Sequence, residues 1–238
     1  LSIDALRLIE NAGYTIAEFM PQCTYETTPE FAKEVRKLDV TVDSIHYPLV
    51  FFGILYNPYP GMVKEAKVFN NNLINMGSEM GTRVIVIHPV GTGSTIDPAV
   101  LESLVYLCEI SKTAGIKIVL ENHPKGGRTA EELTAAAKMI GHNNLELMLD
   151  VTESWECDVD PLEFVNKLDL AHLHLSDFSE RGKHLPPGEG DVKWNEFFAV
   201  LKRKDYSGSY VIEPIWRYYT EDAAEKLVKA REFIESCL

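Results

Sequence analysis

Six times along this chain a short, strongly apolar run ends on a histidine or a carboxylate. The runs are VTVDSIHYP at His46, RVIVIHP at His88, KIVLENH at Glu121, LELMLDV at Asp150, LAHLHLSD at His174 and YVIEP at Glu213. Nearly continuous apolar runs of this length read as strands buried on both faces, as in a parallel sheet. Amphipathic stretches opened by capping residues and closed by glycine lie between them, so strands and helices alternate as in repeated βα units.

In chain order, Ser2 caps a predicted helix through Ala12, stopped by Gly13, and a strand follows at Tyr14 to Phe19. Thr28-Pro29 opens a helix to Leu38, and Val40 to His46 is the next strand. The aromatic segment from Leu49 to Pro60 lacks a helical period and reads as a loop over one end of the sheet, before a long helix from about Gly61 to Met80. Further strands are expected at Arg83 to Ile87, Ile116 to Leu120, Leu145 to Leu149, Leu170 to His174 and Ser209 to Ile212. Helices should run from Asp97 to Gly115, from Thr129 (a capping box with Glu132) to Gly141, after Asp160-Pro161, from Trp194 to Lys202, and from a cap at Thr220. This gives seven strands and eight helices in 238 residues, which one α/β barrel of the TIM (β/α)8 type absorbs as a single domain over residues 1–238. Such a barrel should open on a strand, whereas this chain opens on a helix cap. The barrel is therefore expected to lack its first strand here, with residues before Leu1 supplying it in the natural protein and the Tyr14 and Ser209 strands left as edges.

A formal charge of −13 disfavours a nucleic-acid partner. No apolar run approaches the ~18 residues of a membrane span, and no charged leader with a cleavage site opens the chain. Cys23, Cys108, Cys157 and Cys237 are scattered without a CxxC pair, which fits reduced thiols and a cytoplasmic location.

In an α/β barrel the carboxyl ends of the strands meet at one mouth, so the six terminal residues should face one another. Gathered carboxylates repel unless a cation or protons lie between them, and a divalent metal resolves this most simply. His172, two residues before His174 on the same strand face, reads as a hydrogen-bonded core histidine. His142 reads as structural, Asp177 as a brace for the following loop, and Glu189 as acting through loop geometry. Gly91-Thr92-Gly93-Ser94 is a weak phosphate-loop motif and reads as a connection.

The most specific pieces are H-L-S-D at His174 to Asp177 and H-L-P-P-G-E-G at His184 to Gly190. Through them the chain resembles the xylose isomerase-like TIM-barrel superfamily, which includes sugar isomerases, ketose 3-epimerases, inosose dehydratases and metal-dependent apurinic/apyrimidinic endonucleases. The resemblance implies one divalent ion (Mn, Mg, Co or Zn) held by Glu121, Asp150, His174 and Glu213, with a second at His46 and His88 as in the endonuclease branch. It also implies proton transfer by Glu121 and Glu213 through a metal-stabilised enediolate of a sugar or sugar phosphate, with His88, His123, Glu153, Arg181 and His184 contacting substrate. Two departures matter. Where the endonucleases carry a third-metal histidine this chain has Glu153, and where they carry an Asp before the residue matching His184 it has Gly182. The alternatives are an endonuclease-type zinc phosphodiesterase and a barrel that binds a sugar or polyol without turnover. Pairing through barrel helices into a homo-oligomer is a further expectation from the resemblance.

Overall fold

The computed structural model describes residues 2–89 and 95–238, so the Gly91 to Ser94 motif lies outside the described residues. The elements are α1 (Ser2–Asn11), β1 (Ile16–Phe19), α2 (Pro29–Val35), β2 (Thr41–His46), α3 (Phe52–Leu55), α4 (Pro60–Met80), β3 (Val84–Ile87), α5 (Pro98–Thr113), β4 (Lys117–Leu120) and α6 (Ala130–Ile140). There follow β5 (Leu145–Asp150), α7 (Val151–Glu156), α8 (Pro161–Lys167), β6 (Leu170–Leu175), β7 (Asp177–Ser179), β8 (Gly182–Leu185), α9 (Trp194–Arg203), β9 (Ser209–Ile212) and α10 (Ala223–Cys237).

Seven parallel strands in the order β1-β2-β3-β4-β5-β6-β9 curl into a nearly closed barrel, with β1 and β9 at its two edges. Register then fixes the height of each functional side chain. Ile87 pairs with Leu120, Asp150 with His174, and Leu175 with Ile212. His88 and Glu121 follow one such pair and Glu213 another, so each emerges just past the carboxyl end of its strand, at the same end of the barrel as Asp150 and His174. The side-chain period of two separates the two faces of each strand. Val86, Val119 and Met148, two residues before His88, Glu121 and Asp150, form a small buried cluster of their own, while Ile85, Ile87, Ile118, Leu120 and Leu149 join the large core. The first set carries the same strand face as the site, and the second packs in the core that includes the helices.

The caps behave as side-chain chemistry predicts. Thr28 accepts from the Phe31 amide and Thr129 from the Glu132 amide, while Asp97 and Asp160 close the first turns of α5 and α8. Four features differ from the sequence reading. Leu49 to Pro60 is not a plain loop, because a 3-10 turn at Leu49–Phe51 leads into α3, where Phe51 and Phe52 stack against Phe69 and Tyr47. The cap of the last helix is Asp222 rather than Thr220, since Trp216–Tyr219 form a 3-10 turn first. The helix α7 follows β5 with no connecting residue, and β7 and β8 make an antiparallel hairpin outside the barrel sheet. Among the described residues no helix is long and apolar enough to cross a membrane.

At the amino-terminal end, Asp43 of β2 accepts from Arg83 at 2.5 and 3.0 Å and from Ser209 of β9 at 2.6 Å, tying together strands that are not neighbours in the sheet. Burial favours the neutral acid, but bonds to Arg83 and Ser209 and the Arg83 charge hold the Asp43 carboxyl below its ordinary value. A depressed pKa contributes stability that is present above the unfolded carboxylate value and lost as pH falls through the folded one. Asp43→Asn is thus expected to cost about 1–2 kcal/mol at neutral pH, discounted for the exposed Arg83, and to flatten the acid limb of the melting-temperature profile. An unchanged acid limb would remove Asp43 from that account.

Candidate active site at the barrel mouth

A cavity of about 420 Å³ lies where the start of α8 meets the loop before α9, but the ionisable residues of the strand ends open into a different one, of about 380 Å³, at the barrel mouth. His46, His88, Glu121, His123, Asp150, Glu153, His184 and Glu213 all line the mouth cavity, with Met20 and Leu49 at its apolar side. At its floor His174 is fully buried. Its Nδ1 stands 2.8 Å from Glu213 Oε2, 3.0 Å from Glu121 Oε1 and 3.8 Å from Asp150 Oδ2. These four residues offer ligand atoms that all lie within 4.8 Å of one another.

The surroundings fit a metal ion on chemical grounds. His174 Nδ1, Glu121 Oε2 and Asp150 Oδ2 are buried without a hydrogen-bond partner of good geometry. Buried polar atoms left in this state are costly, and one mixed carboxylate and imidazole set of this kind suits a divalent cation. A second trio, His46, His88 and Glu121, shares Glu121: its Oε2 lies 2.9 Å from His88 Nε2 and 3.4 Å from His46 Nε2. Asp150 has two duties, since its Oδ1 accepts from the Glu153 amide at 2.6 Å as the cap of α7 while Oδ2 faces the cluster.

The electrostatics follow from this crowding. Burial raises the Asp150 carboxyl well above its ordinary range, with His184 opposing and Glu213 and Glu121 adding to the rise. Burial acts the same way on Glu121, yet His174, His46 and His88 overcome it and hold Glu121 well below the usual range. Glu213 is likewise lowered, burial being outweighed chiefly by His174. For His174 burial opposes the charge, and Glu18, Glu213 and Glu121 together push its pKa well up. His46 and His184 are each raised to about 9 against the same burial, by Glu121 and by Glu153 respectively. His123 is lowered by burial and by His88, on which it stacks at 4.6 Å.

Glu153 and His184 meet across the cavity wall at 3.5 Å, and His184 Nδ1 sits 3.2 Å from the Glu213 carbonyl and 3.3 Å from Ser176 Oγ. His184 takes a φ of 49°, a left-handed conformation uncommon outside glycine, although histidine tolerates it better than most side chains. Arg181 is not brought into this group. It is exposed, and its guanidinium donates to the Glu189 carbonyl outside the cavity. His172 is a buried core histidine bonded to Glu18, and His142 pairs with Glu109 at 2.9 Å away from the mouth. Asp177 braces the loop it precedes: Oδ1 accepts from the Phe178 and Val192 amides, and Oδ2 from the Gly188 amide and Trp194 Nε1, all at 2.9–3.0 Å. Asp177→Ala strands those donors and is expected to cost roughly 3–5 kcal/mol, read as a lower denaturant midpoint and faster proteolysis between residues 186 and 193.

One residue of this neighbourhood carried no sequence signal as read above. Glu18, inside the strand IAEF, lies 2.9 Å from His174 Nε2. Its trace in the sequence is a carboxylate in a buried strand, which demands a partner.

A parallel α/β barrel with carboxylates and histidines gathered at the carboxyl ends of its strands is an enzyme-type architecture. The chain belongs to the xylose isomerase-like TIM barrel family, whose model matches residues 6–237. It is 30% identical over 174 residues to an uncharacterized protein of Methanocaldococcus jannaschii, covering 66% of this chain and 58% of that protein, so it spans less than two thirds of that relative. It is 25% identical over 204 residues to the D-psicose 3-epimerase of Ruminiclostridium cellulolyticum, covering 73% of this chain and 68% of the relative. Among solved structures, the IolI protein with a bound zinc atom superposes with a TM-score of 0.72 at 18% identity, over 98% of this chain and 91% of that one, a likeness of fold.

Proposed function

We propose that this chain is a divalent-metal-dependent isomerase or epimerase of uncharged, carbonyl-bearing sugars. The observation that carries the reading is the set of four ligand atoms from Glu121, Asp150, His174 and Glu213, three of which come from buried groups with an unpartnered atom. The epimerase relative and the zinc-bearing neighbour support it. A bound ion would act as a Lewis acid on the substrate's carbonyl and hydroxyl oxygens.

The protein's own groups divide the remaining work. Glu213 has a side chain 41% accessible and Glu121 one 3% accessible, so Glu213 faces incoming substrate while Glu121 is enclosed by histidines. Both are held ionised, as proton acceptors must be. The two come from β4 and β9, with β5 and β6 between them in the sheet, and so approach a bound sugar from different sides. Proton removal beside the carbonyl by one and return by the other accounts for epimerisation. His88, His123, Glu153 and His184 line the cavity and would offer hydrogen bonds to sugar hydroxyls. Arg181 would join them only if substrate draws it away from Glu189.

Charge favours an unphosphorylated substrate. The cavity lining has five carboxylates and four histidines and, among the described residues, no lysine or arginine to meet a phosphate. The same feature weighs against phosphodiester cleavage, although the His46, His88 and Glu121 trio would suit a second zinc and keeps that as the second reading. Binding without turnover would be favoured by Glu121 or Glu213 facing away from the cluster; both face His174, which supports turnover instead.

Metal analysis of protein purified without chelators, paired with solvent deuterium incorporation across ketoses, aldoses and their phosphates, tests this. One ion per chain with deuterium entering free sugars is the expected result. Two or three zincs with cleavage of abasic DNA would replace it with the second reading, and incorporation into phosphates alone would overturn the substrate class.

A further inference from the structure

Glu18 is the carboxylate of β1 that the proton-transfer scheme does not use. Its side chain is 9% accessible and lies between two fully buried histidines of β6. His172 Nε2 donates to Glu18 Oε2 at 3.1 Å, and His174 Nε2 lies 2.9 Å from Oε1, a close charge contact without the alignment of a good hydrogen bond. The opposite nitrogen of His174, Nδ1, is the one aimed at Glu121, Asp150 and Glu213. A single line of contacts therefore runs His172, Glu18, His174 and then the candidate metal ligands.

A neutral imidazole carries one ring proton, and the nitrogen that binds a metal must be the one without it. An anion beside Nε2 keeps the proton there and leaves the Nδ1 lone pair free, while also fixing the plane of the ring. Glu18 comes from an edge strand that is not a sheet neighbour of β6, so no backbone pairing explains why it meets these rings.

We propose that Glu18 is a positioning residue: it holds the ring proton of His174 on Nε2 and so presents Nδ1 to a divalent ion, with His172 anchoring Glu18 in turn. This rests on the reading of His174 as a metal ligand. If Glu18 only satisfied two buried histidines, its loss would lower stability and leave metal affinity unchanged.

Calorimetric titration of metal-stripped protein with cobalt(II) distinguishes the cases. Glu18→Gln, which keeps the shape and removes the charge, should weaken cobalt(II) binding about 10- to 100-fold; it should also lower the metal-free melting temperature, because it takes one partner from a buried pair, so the change in affinity is what separates the two cases. Binding within a factor of about two of the unaltered protein, against that expected loss, would overturn the positioning role alone. Failure of the unaltered protein to bind cobalt(II) would overturn the metal reading and this inference with it. Should the variant not fold, nitrogen-15 NMR of the unaltered, zinc-loaded protein decides: a proton on His174 Nε2 is expected, and a proton on Nδ1 overturns the proposal.

Discussion

Glu213→Gln is expected to lower turnover about 100- to 10,000-fold, the range that a positioned acid or base supplies, while an ion still binds. Glutamine preserves the size of the side chain and one carbonyl oxygen for coordination, but it cannot accept a proton from carbon. Glu213 is the member of the four-residue set with an accessible side chain, and His174 keeps its carboxyl ionised against burial. Metal affinity should therefore fall less than turnover, because Glu121, Asp150 and His174 still offer their atoms. The measurement is loss of solvent deuterium incorporation at a substrate carbon, set beside metal content. Undiminished incorporation in a metal-loaded variant would remove Glu213 from proton transfer.

His174→Ala should produce the largest loss of stability. The ring is fully buried with Glu18, Glu121 and Glu213 oxygens within 3.0 Å, and its pKa is pushed up by those charges in spite of burial. Removing it leaves the carboxylates facing one another with no compensating group, and breaking a buried charge pair from one side costs about 3–5 kcal/mol. At roughly 2–4 °C per kcal/mol for a chain of this size, the metal-free melting temperature should drop by about 10 °C. Added metal stabilises the unaltered protein according to its occupancy, by about 2.7 kcal/mol at a free concentration 100 times the Kd. The variant should lose that increment as well. A variant that melts and responds to manganese like the unaltered protein would dismiss His174 as the centre of the site.

Much of this arrangement is legible in the sequence because it depends on local chemistry. Apolar runs interrupted by capped helices give parallel βα units whatever the details of packing, and parallel pairing brings the carboxyl ends of the strands to one side. That was enough to bring His46, His88, Glu121, Asp150 and Glu213 to one cavity with His174 beneath it, whereas His123, Glu153 and His184, which also line it, were expected there only from the family resemblance. The helix α7 was less legible, since its cap, Asp150, is also a strand end and a candidate ligand. Arg181 lies near the mouth along the chain, and the β7–β8 hairpin turns it toward Glu189, a placement that no local stretch of sequence announces.

Order along the chain thus determined the βα repeat and the residue types at each strand end, because hydrophobic period and capping act over a few residues. Tertiary structure alone decided which side-chain atoms confront one another: Glu18 against His174, Glu153 against His184, and Asp43 against Ser209. Those pairs join residues 31 to 166 positions apart, for example Asp43 and Ser209 at the upper limit. Barrel curvature and strand register set their distances, and neither is written in any local stretch of sequence.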